Sequence, residues 1–163
     1  MRTCKILIIV LFLFPSAQLM SQGVEVTGIC YSDFDDEILP EMVRPAVILF
    51  GSNYCGYSRN QLKLLKQTLS QKQYLGKYID FYSVNVDTRV DSDWLENIYD
   101  EDDDERGTPT WVFYYIDEEG DVDYYYLAGN MNQNDMVYYF EDLVWRSWFI
   151  TSHGITKKYC YRD

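Results

Sequence analysis

The chain has 163 residues, 47% of them hydrophobic, and a formal net charge of −12. That length and apolar content suit one globular domain with a real core and argue against a disordered chain. The negative charge excludes nucleic acid and anionic membrane as natural partners and favours cationic ones, although solubility alone also accounts for acidity of this size.

The first 21 residues read as a secretory signal peptide. Arg2 and Lys5 form a short positive region, residues 6–14 (ILIIVLFLF) an apolar core, and Pro15, Ser16 and Ala17 a stretch suited to a peptidase. The apolar run is too short to cross a bilayer. Cleavage after Ala17 and after Ser21 both fit. Cleavage removes Arg2 and Lys5, which takes the charge from −12 to −14. Cys4 precedes the apolar core, so it does not stand where a lipid-anchored cysteine would. The expected product is exported, periplasmic or extracellular, with no membrane association after cleavage, in an oxidising compartment. Three cysteines then remain, Cys30, Cys55 and Cys160, and an odd number leaves one unpaired or joined to another molecule. Cys30 and Cys160 are candidates for a structural disulfide that leaves Cys55 free. Connectivity is open at this point: both can be unpaired, or another pairing can form.

Residues 22–44 are expected to add an N-terminal strand and helix to a core spanning residues 45–149, with residues 150–163 as a tail. A first strand is predicted over 24–31, and a short helix or loop over the acidic stretch 33–42. Residues 45–50 (PAVILF) are a continuous apolar run rich in branched side chains, as in a strand buried on both faces. Residues 58–75 predict a helix with Leu62, Leu65 and Leu69 on one face and Lys63, Lys66 and Gln67 turned away, stopped by Gly76. A second core strand is predicted over 81–86 and a short helix over 92–99. Six consecutive acids at 100–105 predict an exposed loop. A hairpin follows, with strands 110–116 and 122–127 about a turn at 117–120. A final helix is predicted over 134–149, with Met136, Phe140, Leu143, Val144 and Trp148 at helical spacing. The tail shows no periodicity.

The chemistry concentrates at Cys55-Gly56-Tyr57-Ser58, which sits between a buried strand and a helix. A thiol at the first turn of a helix is a good nucleophile, because unpaired backbone N–H groups and the helix dipole favour its thiolate. Ser58 can hydrogen-bond that thiolate but cannot form a disulfide with it. Residues 45–58 resemble the active-site strand and loop of the thioredoxin family. Residues 81–87 (FYSVNVD) resemble that family's central strand, and Arg106-Gly107-Thr108-Pro109-Thr110 resembles the loop carrying its cis-proline. The hairpin and Gly129 fit as well. The resemblance implies an α/β thioredoxin fold: a central mixed sheet flanked by helices, here with an N-terminal strand extension and a C-terminal tail. It implies that the Thr108–Pro109 bond is cis. It also implies that the backbone at Thr108, next to Gly107, pairs with an extended client beside Cys55.

Three departures from the family pattern agree with one another. Ser58 replaces the resolving cysteine, Leu49 stands six residues before Cys55 where thioredoxins carry a buried acid, and Ser83 stands where that acid's lysine partner would be. Without a resolving thiol there is no such proton for an acid to remove. The expected chemistry is therefore single-thiolate exchange of isomerase or mixed-disulfide type, not dithiol reduction. In this reading Cys55 is the nucleophile, Ser58 stabilises the thiolate, Gly56 keeps the turn open, and Tyr54 and Tyr57 form an aromatic platform. Clients would be proteins or peptides with disulfides or thiols, basic ones favoured by the charge, and a small thiol would serve as reductant. No cofactor and no metal is expected; His153 is the only histidine, and the acidic run lacks calcium-loop spacing. Oligomers are compatible with this reading. The alternative is a non-catalytic thioredoxin-fold binding or scaffold protein, in which sixteen tyrosines supply contact surface.

Overall fold

The structure is a computed structural model that describes residues 23–88, 107–151 and 154–157. Its organising element is the apolar run read from the sequence, which forms strand β2, Ala46–Gly51. Around it lie β1 (Val26–Gly28), β3 (Asp80–Asn85), β4 (Thr110–Ile116) and β5 (Val122–Ala128). The sheet order is β1-β3-β2-β4-β5. β3 runs parallel to both β1 and β2, β4 antiparallel to β2, and β5 antiparallel to β4.

The period of two along β2 divides the core. Val47 and Leu49 face a layer that holds Leu65 and Leu69 of helix α2 (Gly56–Gln71) and Met136, Phe140, Leu143 and Val144 of helix α3 (Gln133–Arg146). Ala46, Ile48 and Phe50 face the other way, among Ile29, Phe34 and Met42. The tyrosine runs on the hairpin divide likewise. Tyr125 stacks on Phe113 at 4.8 Å, while Tyr124 lies 5.5 Å from Tyr114 on the opposite face. Alternation on the pleat dictates this split.

Several boundaries differ from the sequence reading. The first strand is only Val26–Gly28, because the chain turns at Cys30 into one helical turn, α1 (Tyr31–Asp33), then a π-helical turn (Phe34–Ile38) and a 3₁₀ turn (Leu39–Glu41). This short acidic stretch is anchored by fully buried Phe34, edge-on to Tyr82 at 5.6 Å. Helix α2 starts two residues earlier than predicted and ends at Gln71; Gly76 lies in a following 3₁₀ turn, Gln73–Lys77. Gly76 does not act as a helix stop. It makes room for Val24, whose Cγ2 would be 2.6 Å from a Cβ at that position.

Helix α3 begins on a capping box, with Asn132 Oδ1 accepting from the N–H groups of Asn134 (2.8 Å) and Asp135 (3.0 Å). It ends at Arg146, three residues short of the prediction. The buried hydroxyl of Ser147 accepts from the N–H of Ile116 at 3.0 Å, which turns the chain out of the helix. Trp148 is therefore not a helical residue. It starts a hairpin of β6 (Trp148–Thr151) and β7 (Gly154–Lys157), so the tail carries structure its sequence did not announce. Trp148 and Ile150 pack on the second face of the sheet, and Ile150 N–H donates to Val43 O at 3.1 Å. The expected helix at 92–99, the acidic run at 100–105 and the signal segment lie outside the described residues.

Candidate active site around Cys55

Parallel strands β2 and β3 end on the same side of the sheet, and the antiparallel β4 begins there. This topology brings the Cys55 loop, the end of β3 and the Thr108–Pro109 segment together. Cys55 is the N-cap of α2, with an extended backbone (φ −85°, ψ 117°). Its N–H donates to Ser52 O at 3.2 Å, closing the turn that carries it from β2 into the helix. The sulfur is partly exposed and lies 3.6 Å from Thr108 O, close enough for a weak S–H···O contact. The Thr108–Pro109 bond is cis, as the resemblance implied.

The Cys55 thiol is held below its ordinary pKa. The first cause is the Ser58 hydroxyl, followed by the Ser58 backbone N–H; the Tyr57 N–H and the Thr108 side chain add to it, and partial burial opposes it. Beside the neutral thiol the Ser58 hydroxyl is buried and has no hydrogen-bond partner among the described residues. A buried hydroxyl unsatisfied next to S–H gains an acceptor when the sulfur becomes S⁻, so its desolvation favours ionisation.

Ser58 is seated by Gly51, where a Cβ would stand 3.1 Å from the Ser58 Cβ. Behind the thiol lies a cavity of about 70 Å³ lined by Leu49, Gly51, Ser58, Leu62, Ser83 and Asn85, among others. Leu49 and Ser83, the other two departures from the family pattern, are in-register neighbours on β2 and β3 there. Among the described residues that line this cavity there is no carboxylate, and its one charged side chain is Arg59. A larger cavity of about 560 Å³ lies away from the thiol, beside β1, lined by Val24, Glu25, Arg44, Tyr74 and Lys77 among others. It contains no cysteine, and its Arg44 is engaged by Asp80 in a two-pronged ion pair, one contact being 2.6 Å.

Tyr54 and Tyr57 flank the sulfur and are 89% and 66% exposed, so the platform points into solvent. Gly107 is exposed and Thr108 half-buried, while Pro109 is buried. Gly56 meets only the tip of Arg59, at 3.8 Å from a built Cβ, so sterics do not demand glycine there. Cys30 lies at the corresponding end of β1, with β3 standing between its strand and β2, and forms no disulfide among the described residues; its candidate partner Cys160 lies outside them.

Three polar residues of the site, Asp87, Arg59 and Gln61, gave no signal in the sequence. Asp87, just past β3, accepts from the Ser52 hydroxyl (2.8 Å) and the Asn53 N–H (2.7 Å), and Ser52 Oγ in turn accepts from the Tyr54 N–H (3.1 Å). This carboxylate grips the loop immediately before the nucleophile. Arg59 closes the other side by donating to Asn53 O. Gln61, on the buried face of α2, bonds both backbone groups of Met131. Among the described residues no group of three or more potential ligands could hold a metal, and no helix is long and apolar enough to cross a membrane.

No protein-family model and no curated protein matches the chain. Solved structures do match it. Chloroplastic thioredoxin z aligns with a TM-score of 0.55 and 14% identity, covering 74% of this chain and 95% of its own. The thioredoxin Mala s 13 of Malassezia sympodialis aligns with a TM-score of 0.54 and 20% identity, covering 74% and 91%. Together with the mixed five-stranded sheet, its flanking helices and the cis-proline opposite the helix-capping cysteine, these likenesses establish that the chain has a thioredoxin fold.

Proposed function

We propose that this is an exported thiol–disulfide exchange protein that works through one thiolate, Cys55, in isomerase or mixed-disulfide fashion. The observation that carries this reading is the Cys55 sulfur itself: partly exposed, at a helix N-cap, with a lowered pKa, and 3.6 Å from the carbonyl before a cis-proline. In the first step the Cys55 thiolate attacks a client disulfide R–S–S–R′. A Cys55–S–S–R bond forms, the S–S bond of the client breaks, and R′–S⁻ leaves with the electron pair. In the second step another thiolate attacks the R sulfur and returns Cys55 as thiolate. If it comes from the client the net result is isomerisation; if it comes from a small external thiol the client leaves as R–S–S–X, a mixed disulfide with that thiol, and a second equivalent attacking the X sulfur releases R–S⁻ and X–S–S–X, which completes reduction of the client. Ser58 cannot release the client, because a hydroxyl forms no disulfide.

An extended client would lie along the Thr108 backbone with its flanking residues against Tyr54 and Tyr57. The −12 charge favours basic clients. Export rests on the N-terminal segment around residues 6–14. The decisive experiment is refolding of a scrambled disulfide protein in a glutathione buffer, comparing the mature protein with Cys55→Ala. Acceleration that disappears in Cys55→Ala supports the reading; equal rates would remove it.

A scaffold role is favoured by a different feature. Tyr138 and Trp145 on α3 are 67% and 45% exposed and lie two turns apart on one helix. A partner retained by Cys55→Ala and lost on Tyr138→Ala with Trp145→Ala would assign the protein to that class.

A further inference from the structure

Gln61 is 6% exposed on the buried face of α2, which it shares with Ser58, Leu65, Thr68 and Leu69. An apolar side chain could fill this place without needing hydrogen-bond partners. Gln61 instead satisfies both ends of its amide on one residue of another segment: Nε2–H donates to Met131 O at 3.0 Å, and Met131 N–H donates to Oε1 at 3.0 Å. Met131 is itself buried, so its two backbone groups have no access to water as substitute partners. Two residues before it, Gly129 turns the chain with φ +95° and donates its N–H to Pro109 O at 2.8 Å. Pro109 follows Thr108, whose carbonyl faces the Cys55 sulfur. Cys55 caps the helix that carries Gln61. The connections form a closed circuit: Cys55, helix α2, Gln61, Met131, Gly129, Pro109, Thr108 and back to Cys55.

We infer that Gln61 is a positioning residue that fixes the Thr108 backbone edge at its working distance from Cys55 by tying segment 129–131 to the active-site helix. This inference rests on the exchange reading above and adds a division of labour to it. A small disulfide needs only the sulfur. An extended client also needs the Thr108 edge held in register, and misplacement of a positioned group by about 1 Å can cost a hundredfold in rate. Gln61 therefore acts on clients according to their length, not on the thiol itself.

The test compares two rate constants on the same preparation: exchange with 2-hydroxyethyl disulfide, and exchange with a peptide of ten residues carrying a mixed disulfide at its centre. Their ratio is independent of the folded fraction, so a variant that is merely less stable leaves it unchanged. Gln61→Leu is expected to lower the peptide rate about tenfold or more while the small-disulfide rate stays within about twofold. Gln61→Glu keeps the acceptor for Met131 N–H and loses the donor to Met131 O, so it should fall between; it also serves if Gln61→Leu does not fold. An unchanged ratio in the folded variant overturns the inference. If the unmodified protein exchanges with neither disulfide, the exchange reading falls first and takes this inference with it, a result visible before any variant is made.

Discussion

Replacing Ser58 with cysteine should convert the site from single-thiol to dithiol chemistry, and the structure allows the size of the effect to be worked out. Residues 55 and 58 sit one turn apart at the start of α2, a spacing that brings Cβ atoms to about 5–6 Å and within the reach of a disulfide after a small shift of the N-cap. The larger sulfur has room, since Ser58 borders the cavity of about 70 Å³. Closing so short a loop removes little chain entropy. For a four-residue ring the loop-closure relation gives about 2 kcal/mol at room temperature. In a domain of this size that corresponds to a rise in Tm of about 6 °C for the oxidised over the reduced variant. The assay is mild oxidation in a Cys30→Ser background, followed by intact mass, alkylation mapping and calorimetry with and without reductant. The expected product is lighter by two hydrogens, resists alkylation at residues 55 and 58, and melts higher until reduced. A variant that keeps both thiols alkylatable and an unchanged Tm after oxidation would refute the geometry on which the single-thiol mechanism is built.

Other outcomes follow from the same coordinates. Ser58→Ala removes the first cause of the lowered Cys55 pKa, so the midpoint of pH-dependent alkylation should rise; an unmoved midpoint would assign the effect to the helix N–H groups. Because the folded pKa of Cys55 lies below its unfolded value, ionised Cys55 adds stability above the ordinary thiol range, and this is lost as pH falls through the lowered value. The Tm difference between the native chain and Cys55→Ala should therefore grow from about pH 6 to about pH 9, and a flat difference would contradict the shift. Asp87→Ala releases Ser52 and Asn53 and should slow exchange with every disulfide, with a stability loss of about 1 kcal/mol in urea titration; Asp87→Asn, which can still accept from Asn53, should recover most of the rate. Phe34→Ala empties a fully buried site beneath the π-helical turn and should cost about 3–5 kcal/mol, leaving the alkylation midpoint of the folded protein unchanged.

What was legible in the sequence is what local pattern encodes. The run 45–50 announced a doubly buried strand because every side chain in it is apolar, and Cys55 to Ser58 announced the site because strand, turn and helix signals converge on it. Leu65, Leu69, Met136 and Phe140 were placed in the core by helical spacing alone. The misses have a common physical origin in partners remote in sequence. Gln61 looked like an ordinary helix residue because its partner is the backbone of Met131, which no side-chain pattern reports. Asp87 read as the end of a strand, although its partners are Ser52 and Asn53, 34–35 residues earlier. Trp148 fitted the helical stripe of α3, and only the Ser147 hydroxyl on Ile116 N–H diverts it into a hairpin. Phe34 was hidden in an acidic stretch whose single buried ring outweighs its polar neighbours.

The second face of the sheet is covered by the two ends of the described chain: residues 29–42 on one side of the sequence, and the hairpin containing Trp148 and Ile150 on the other. A polypeptide that emerges N-terminus first leaves this face without its second cover, Trp148 and Ile150, until β6 has followed and Ile150 has reached Val43. Closure of this face thus waits for β6 to follow the rest of the sheet, and a chain that stops short of it presents an apolar sheet face to whatever holds it. The same arrangement makes truncation before Trp148 damaging to the core far from Cys55.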